Sequence, residues 1–163
     1  MTKSDLPSTP TLGFLERRRI EANIIAPIYE VMKRELGQER AAEIIREAIA
    51  VDARKSGAEF AAQTTGGPSL AAFIGIQELW TKDDALITTT REESATVFAF
   101  DVTSCAYSRM YSEMGLSEIG GLLSCVRDAE FIAGYDPTMT MTRTQTLMQG
   151  ASHCDFRYVT RDV

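Results

Sequence analysis

Thiols, an imidazole and carboxylates are the side chains from which an activated nucleophile can be assembled, and this sequence gathers them in one region. Its only histidine and all three cysteines fall between Thr103 and Arg157. The histidine stands beside a cysteine and two residues before an aspartate, in Ser152-His153-Cys154-Asp155-Phe156-Arg157. If this stretch is extended, side chains alternate between faces, so His153, Asp155 and Arg157 share one face and Cys154, Phe156 and Tyr158 the other. A carboxylate two residues along a strand can orient an imidazole, and an arginine two further on can hold a substrate carboxylate by a two-pronged contact. The same alternation turns Cys154 away from His153, leaving it either a small buried hydrophobe or a group on a pocket wall.

The other two thiols have different settings. Cys125 and Asp128 are three apart on a predicted helix and present on one surface, with Ser124 and Arg127 adjacent. Cys105 falls where a predicted strand hands over to a helix, and amide dipoles in a first helical turn favour a thiolate. Either is a candidate nucleophile, and ordinary core packing is as good a reading for each. Three cysteines and one histidine would fill a tetrahedral zinc site, but there is no Cys-x-x-Cys or His-x-x-x-His pair. We therefore expect no metal and no cofactor.

Composition bounds the class. A chain of 163 residues, 44% hydrophobic and 25% charged, suits one globular domain. A net charge of −6, from 23 acidic against 17 basic residues, disfavours a protein that neutralises nucleic-acid phosphates. The basic cluster Arg17-Arg18-Arg19, flanked by Glu16 and Glu21, reads as a solvated helix face. No apolar run approaches the ~20 residues of a membrane span, and the polar start Met1 to Asp5 lacks a secretory apolar core. These features predict a cytoplasmic protein with reduced thiols.

The elements follow from periodicity. Residues 1–12 read as a flexible tail and residues 13–163 as a single domain. Apolar residues at helical spacing predict a helix over Leu12 to Leu36, stopped by Gly37 and kinked or broken at Pro27. A second helix is predicted from Gln38 to about Gln63, ended by Thr64-Thr65-Gly66-Gly67-Pro68, and a third from Pro68 or Ser69 through Trp80. Leu86 to Thr90 and Ala95 to Phe100 read as a hairpin across Arg91 to Ser94. Ser104 to Met114 and Leu116 to Ala133 read as further helices, and Met139 to Met148 and Cys154 to Thr160 as a second pair of strands. The predicted fold is α+β: N-terminal helices packed on a small antiparallel sheet of about four strands.

Four segments, Trp80 to Leu86, Val102 to Met110, Leu123-Ser124-Cys125-Val126-Arg127-Asp128 and Thr142 to Tyr158, resemble the L-2-amino-thiazoline-4-carboxylic acid hydrolase family. The last segment, ending Gly150-Ala151-Ser152-His153-Cys154-Asp155-Phe156-Arg157-Tyr158, is the most specific. The resemblance implies hydrolytic opening of a cyclic amidine-like carbon in a thiazoline carboxylate, giving S-carbamoyl-cysteine. The pattern Gly150-x-x-x-Cys154-x-Phe156 is also similar to the small-molecule-binding domain of 4-vinyl reductase type, which implies the same kind of fold.

Taken together, these readings predict a hydrolase acting on a C–N bond of a small, planar, carboxylate-bearing heterocycle. Cys125 is the favoured nucleophile and Cys105 the alternate. His153 would be general base with Asp155 orienting it, and Asp128 a second acid/base group. Arg157 or Arg143 would hold the substrate carboxylate, with Cys154 beside it. The other reading is a non-catalytic small-molecule-binding or sensing domain. The wide apolar faces of the N-terminal helices predict a homo-oligomer.

Overall fold

The structure, a computed structural model, describes residues 12–161. The tail expected over residues 1–12 lies, but for Leu12, outside the described residues.

Helix α1 runs Phe14–Leu36 and α2 Gln38–Gln63, separated by Gly37 at φ 85°, a conformation that only glycine adopts freely. Pro27 does not break α1. It faces solvent, as does Asn23 one turn earlier, so the carbonyl that loses its amide partner can be hydrated. The predicted third helix is two: α3, Leu70–Ile76, whose start is capped by Ser69 Oγ accepting the Ala72 amide at 3.1 Å, and α4, Glu78–Thr81. The break at Gln77 turns Trp80 against Phe14, ring centroids 4.5 Å apart.

Strands β1, Leu86–Glu93, and β2, Val97–Cys105, form the predicted hairpin with longer arms. Arg91 to Glu93, expected in the turn, belong to the strand. β1 is a sheet edge, and charged residues there blunt unwanted pairing without losing the ladder. Helix α5 covers Ala106–Glu113. The predicted helix over Leu116 to Ala133 is instead a turn, a π-helical segment Gly121–Cys125, and α6, Val126–Tyr135. β3 is Met139–Thr142 only, and β4 is Cys154–Thr160.

The fold is α+β, with helices packed on an antiparallel sheet of order β1-β2-β4-β3. β4 buries alternate residues, Cys154, Phe156 and Tyr158, and its register sets Phe156 beside Phe100 and Cys154 beside Val102. Leu70, Phe73, Phe131, Ile132 and Tyr135 of α3 and α6 join these residues in one core cluster. A second cluster joins α1 and α2 to α5 and the π segment.

α2 and α6 cross at van der Waals distance because both carry glycine at the crossing. A methyl group on Gly134 would lie 2.0 Å from the Arg54 carbonyl oxygen, and one on Gly57 2.1 Å from that of Phe131. Gly134→Ala is therefore expected to lower stability in urea unfolding by about 1–3 kcal/mol or more. Gly75→Ala, in α3 with nothing within 4 Å of the added carbon, is expected to be neutral or to gain up to about 1 kcal/mol.

Candidate functional site

The carboxyl end of β2, the start of β4 and the start of α6 meet around a cavity of about 70 Å³. A water needs roughly 10–15 Å³ of such space, so the cavity has room for several waters or a small ligand. Most of its wall is apolar and aromatic: Phe14, Trp80, Leu86, Val102, Phe131 and Phe156. Into this wall come all three cysteines and four charged groups, Arg18, Arg127, Asp128 and Arg143. A wider groove of about 490 Å³ lies alongside and shares Cys125, Arg143 and Met148 with the cavity wall.

The π-helical segment is what presents Cys125. π-helical turns often mark functional sites, and here Gly120 and Gly121 make room for the Met148 side chain. Cys125 and Asp128, one turn apart across the start of α6, both line the cavity, as their spacing predicted.

Arg143 is held by several contacts. Its Nη1 donates to Asp128 Oδ2 at 2.6 Å, its Nη2 donates to the Cys125 carbonyl at 3.0 Å, and its guanidinium sits over the Phe156 ring at 5.0 Å. Burial pushes the Asp128 carboxyl above the usual carboxylate range, and Arg143 offsets only part of that. A buried carboxyl shifted this way beside a thiol is a candidate for proton transfer.

The thiols are held neutral. Burial drives the Cys125 thiol up to about 12, with the Asp128 charge adding to the effect. Cys105 stands at the N-terminus of α5 and accepts the Ser108 amide at 3.4 Å, as the expected helix-start setting requires. Burial nevertheless outweighs the amides and raises its pKa. Cys154 accepts the Leu147 amide at 3.2 Å and is likewise raised by burial.

His153 and Asp155 do not form the expected pair. The Asp155 carboxylate instead accepts the backbone amides of Thr144 and Gln145, each at 2.9 Å, and the Thr144 hydroxyl at 2.5 Å. Burial works against its charge, but these bonds prevail and hold it at about 2. Asp155 thereby pins the backbone just after Arg143, which is also why β3 stops at Thr142. His153 braces the same loop: Gln145 Nε2 donates to its carbonyl at 2.9 Å, and its Nδ1 lies 2.9 Å from Ser152 Oγ. The imidazole is not among the cavity-lining residues. Arg157 also lies off the cavity, donating to Asp101 at 2.9 Å on the outer face of the sheet, where Arg91 reaches the same carboxylate at 2.6 Å. Of the two arginines expected to take a carboxylate, the cavity receives Arg143.

Sequence reading missed Arg18. It lies in the basic cluster taken as a solvated face, yet its side chain is only 11% exposed and lines the cavity. The signal was its spacing of four from both buried residues, Phe14 and Ala22, on the inner stripe of α1. Arg127 ties the same corner together, reaching the Leu123 carbonyl at 2.9 Å, Asp52 at 2.7 Å and Glu21 at 3.5 Å. Among the described residues no group of three or more His, Cys, Asp and Glu side chains is arranged to hold a metal ion, and no helix is long and apolar enough to cross a membrane.

If His153 braces a loop, His153→Ala is expected to keep kcat/KM within about threefold of wild type. Loss of a working general base costs about 10²-fold or more, so steady-state kinetics separates the two roles.

Helices packed on one face of a small antiparallel sheet thus meet it around a largely apolar cavity in which Asp128 and Arg143 pair. Residues 17–158 match the L-2-amino-thiazoline-4-carboxylic acid hydrolase family, and the protein belongs to it. Membership supports hydrolysis in general. No curated protein matches the sequence significantly. The fold is similar to the phenol-responsive sensory domain of the transcription activator PoxR with phenol, at TM-score 0.53 and 12% identity over 84% of this chain and 73% of that one. An Fe(II) unliganded H-NOX protein mutant from K. algicida aligns at TM-score 0.28 and 6% identity over 91% and 61% of the two chains.

Proposed function

We propose that the protein hydrolyses a C–N bond of a small cyclic amidine that carries a carboxylate, of the thiazoline carboxylate type, in the cavity between Cys125, Asp128 and Arg143. The Asp128–Arg143 pair carries this reading. A cyclic amidine carboxylate is a zwitterion, with an amidinium at one end and a carboxylate at the other. Its two charges complement the two halves of that pair, so the bound substrate gives Arg143 a carboxylate and Asp128 an amidinium while keeping the buried charges compensated.

Cys125 is the attacking group and Asp128, not His153, takes its proton. As sulfur adds to the amidine carbon, the proton of the thiol passes to Asp128. The ring C–N bond then breaks and the departing nitrogen receives that proton. Water attacks the sulfur-bound carbon and gives one proton to Asp128, which passes it to the Cys125 sulfur as that bond breaks. The second water proton goes to the freed amine, leaving a carbonyl. The sulfur leaves as a thiol, and the net change is addition of one water. A thiol at about 12 is poorly ionised in the empty cavity, and an amidinium brought beside it favours the thiolate.

The neutral thiols and the absence of an imidazole from the cavity wall favour a second reading, a binding or sensing domain. The similar fold of a sensory domain described with phenol is compatible with it. The two are separated by incubating the protein with thiazoline, hydantoin and dihydropyrimidine carboxylates and following products by mass spectrometry. Ring opening with gain of one water supports the hydrolase. Tight binding by calorimetry with no product would establish the sensor.

A further inference from the structure

α1 carries an apolar stripe on its outer side. Ile20, Ile24, Ile28 and Val31 follow one another at intervals of four, four and three residues and are exposed by 54%, 63%, 49% and 48%. Pro27 between them is exposed too. This is the spacing of a helix face that packs on another helix, yet among the described residues nothing covers it.

The charges at its ends indicate what does. Glu16 and Arg17 precede the stripe, Arg34 and Glu35 follow it, and all four are exposed. Glu16 and Arg34 are eighteen residues apart, as are Arg17 and Glu35. At 3.6 residues per turn eighteen residues make five whole turns, so Glu16 and Arg34 share one flank of the stripe and Arg17 and Glu35 the other.

We infer that the stripe is the interface of a homodimer in which two α1 helices pack antiparallel across a two-fold axis. That axis brings each flank against the same flank of the second copy with its ends exchanged. Glu16 then meets the second copy's Arg34, and Arg17 its Glu35, on both sides of the axis. The midpoints of Ile20 and Val31, of Glu16 and Arg34, and of Arg17 and Glu35 all fall at residues 25–26, so the apolar contact and the charge pairs share one axis position. A closed two-fold contact of this kind is self-complementary. Antiparallel helices also oppose their macrodipoles favourably. In the single chain Glu16 pairs with Arg19 at 3.6 Å and Arg34 with Glu35 at 2.8 Å, exposed local pairs that are free to exchange, and the Arg17 guanidinium lies over the Phe14 ring at 5.6 Å.

Sedimentation velocity of the full chain at micromolar concentration tests this. Wild type is expected to be a dimer, Ile24→Glu a monomer with unchanged far-UV circular dichroism, and Val159→Glu, on the sheet, still a dimer. Glu16→Arg is expected to raise the dimer dissociation constant about tenfold or more, since like charges then face each other at two symmetric places. Adding Arg34→Glu to it is expected to bring the constant back to within about threefold of wild type. A monomeric wild type would overturn the dimer, and one that instead sediments with phosphatidylcholine/phosphatidylglycerol vesicles would assign the stripe to a lipid surface. A dimer that survives Ile24→Glu would place the interface elsewhere. A double reversal weaker than the single one would overturn the antiparallel arrangement, because in a parallel pair it sets like charges together at both ends.

Discussion

Asp128→Asn is expected to lower kcat by about 10²–10⁴-fold on a ring-opening substrate, the range for loss of a positioned proton-transfer group. Asparagine keeps the shape and can still accept a bond from Arg143, so the fold and the cavity persist, but it cannot take the Cys125 proton. The pH profile gives a second readout. Asp128 acts as a base only when ionised, and burial holds its pKa above the usual carboxylate range. Wild-type kcat/KM should therefore rise with pH through that raised value, and the variant's residual activity should lack this limb. The stability effect has the opposite sign. Between the unfolded value near ~3.9 and the raised folded value, the native state holds a proton that the unfolded chain has lost. Stability attributable to Asp128 thus falls as pH rises through that window. Chemical denaturation at several pH values should show this fall in wild type and its absence in Asp128→Asn.

Arg143→Ala is expected to cost about 10²–10⁴-fold in kcat/KM. Two charge-assisted hydrogen bonds to a substrate carboxylate are worth about 1.5–3 kcal/mol each. The loss should appear largely in KM. It should nearly vanish for an analogue that lacks the carboxylate, since that analogue never used Arg143. Arg143→Lys keeps the charge without the planar fork and should fall between the two. Asp128 loses its buried partner in the alanine variant and responds by holding its proton more tightly, so the limb of the pH profile should move further up. A variant that binds carboxylate and decarboxylated ligands in the wild-type ratio would remove Arg143 from recognition.

The fold was largely legible because its signals are local. Alternation along Cys154 to Thr160 marks β4 and its buried face, and Gly37 with the Gly66-Gly67-Pro68 stop brackets α2. What sequence could not show depends on partners distant along the chain. Asp155 looked like a companion for His153 because it stands two residues away, but its carboxylate goes to Thr144 and Gln145, eleven and ten residues back. Asp128 and Arg143 were both singled out, on separate grounds, yet nothing local pairs residues fifteen apart across a strand and a loop. The π-helical turn was invisible for a related reason. Leu116 to Ala133 has helical periodicity, and the widening at Gly121–Cys125 answers to Met148 packing against Gly120 from another element. Arg18 was hidden by its neighbours, because a run of three arginines reads as a charged surface unless each is placed on the helix stripe it occupies.

The most direct test of the account is a crystal structure of Cys125→Ser with L-2-amino-thiazoline-4-carboxylate bound. The account predicts the ring inside the aromatic cavity, the carboxylate within hydrogen-bond reach of Arg143, the amidine nitrogens facing Asp128 and the amidine carbon next to residue 125. A ligand lodged outside the cavity, with its carboxylate on Arg157 or its ring beside His153, and the cavity empty, would contradict it.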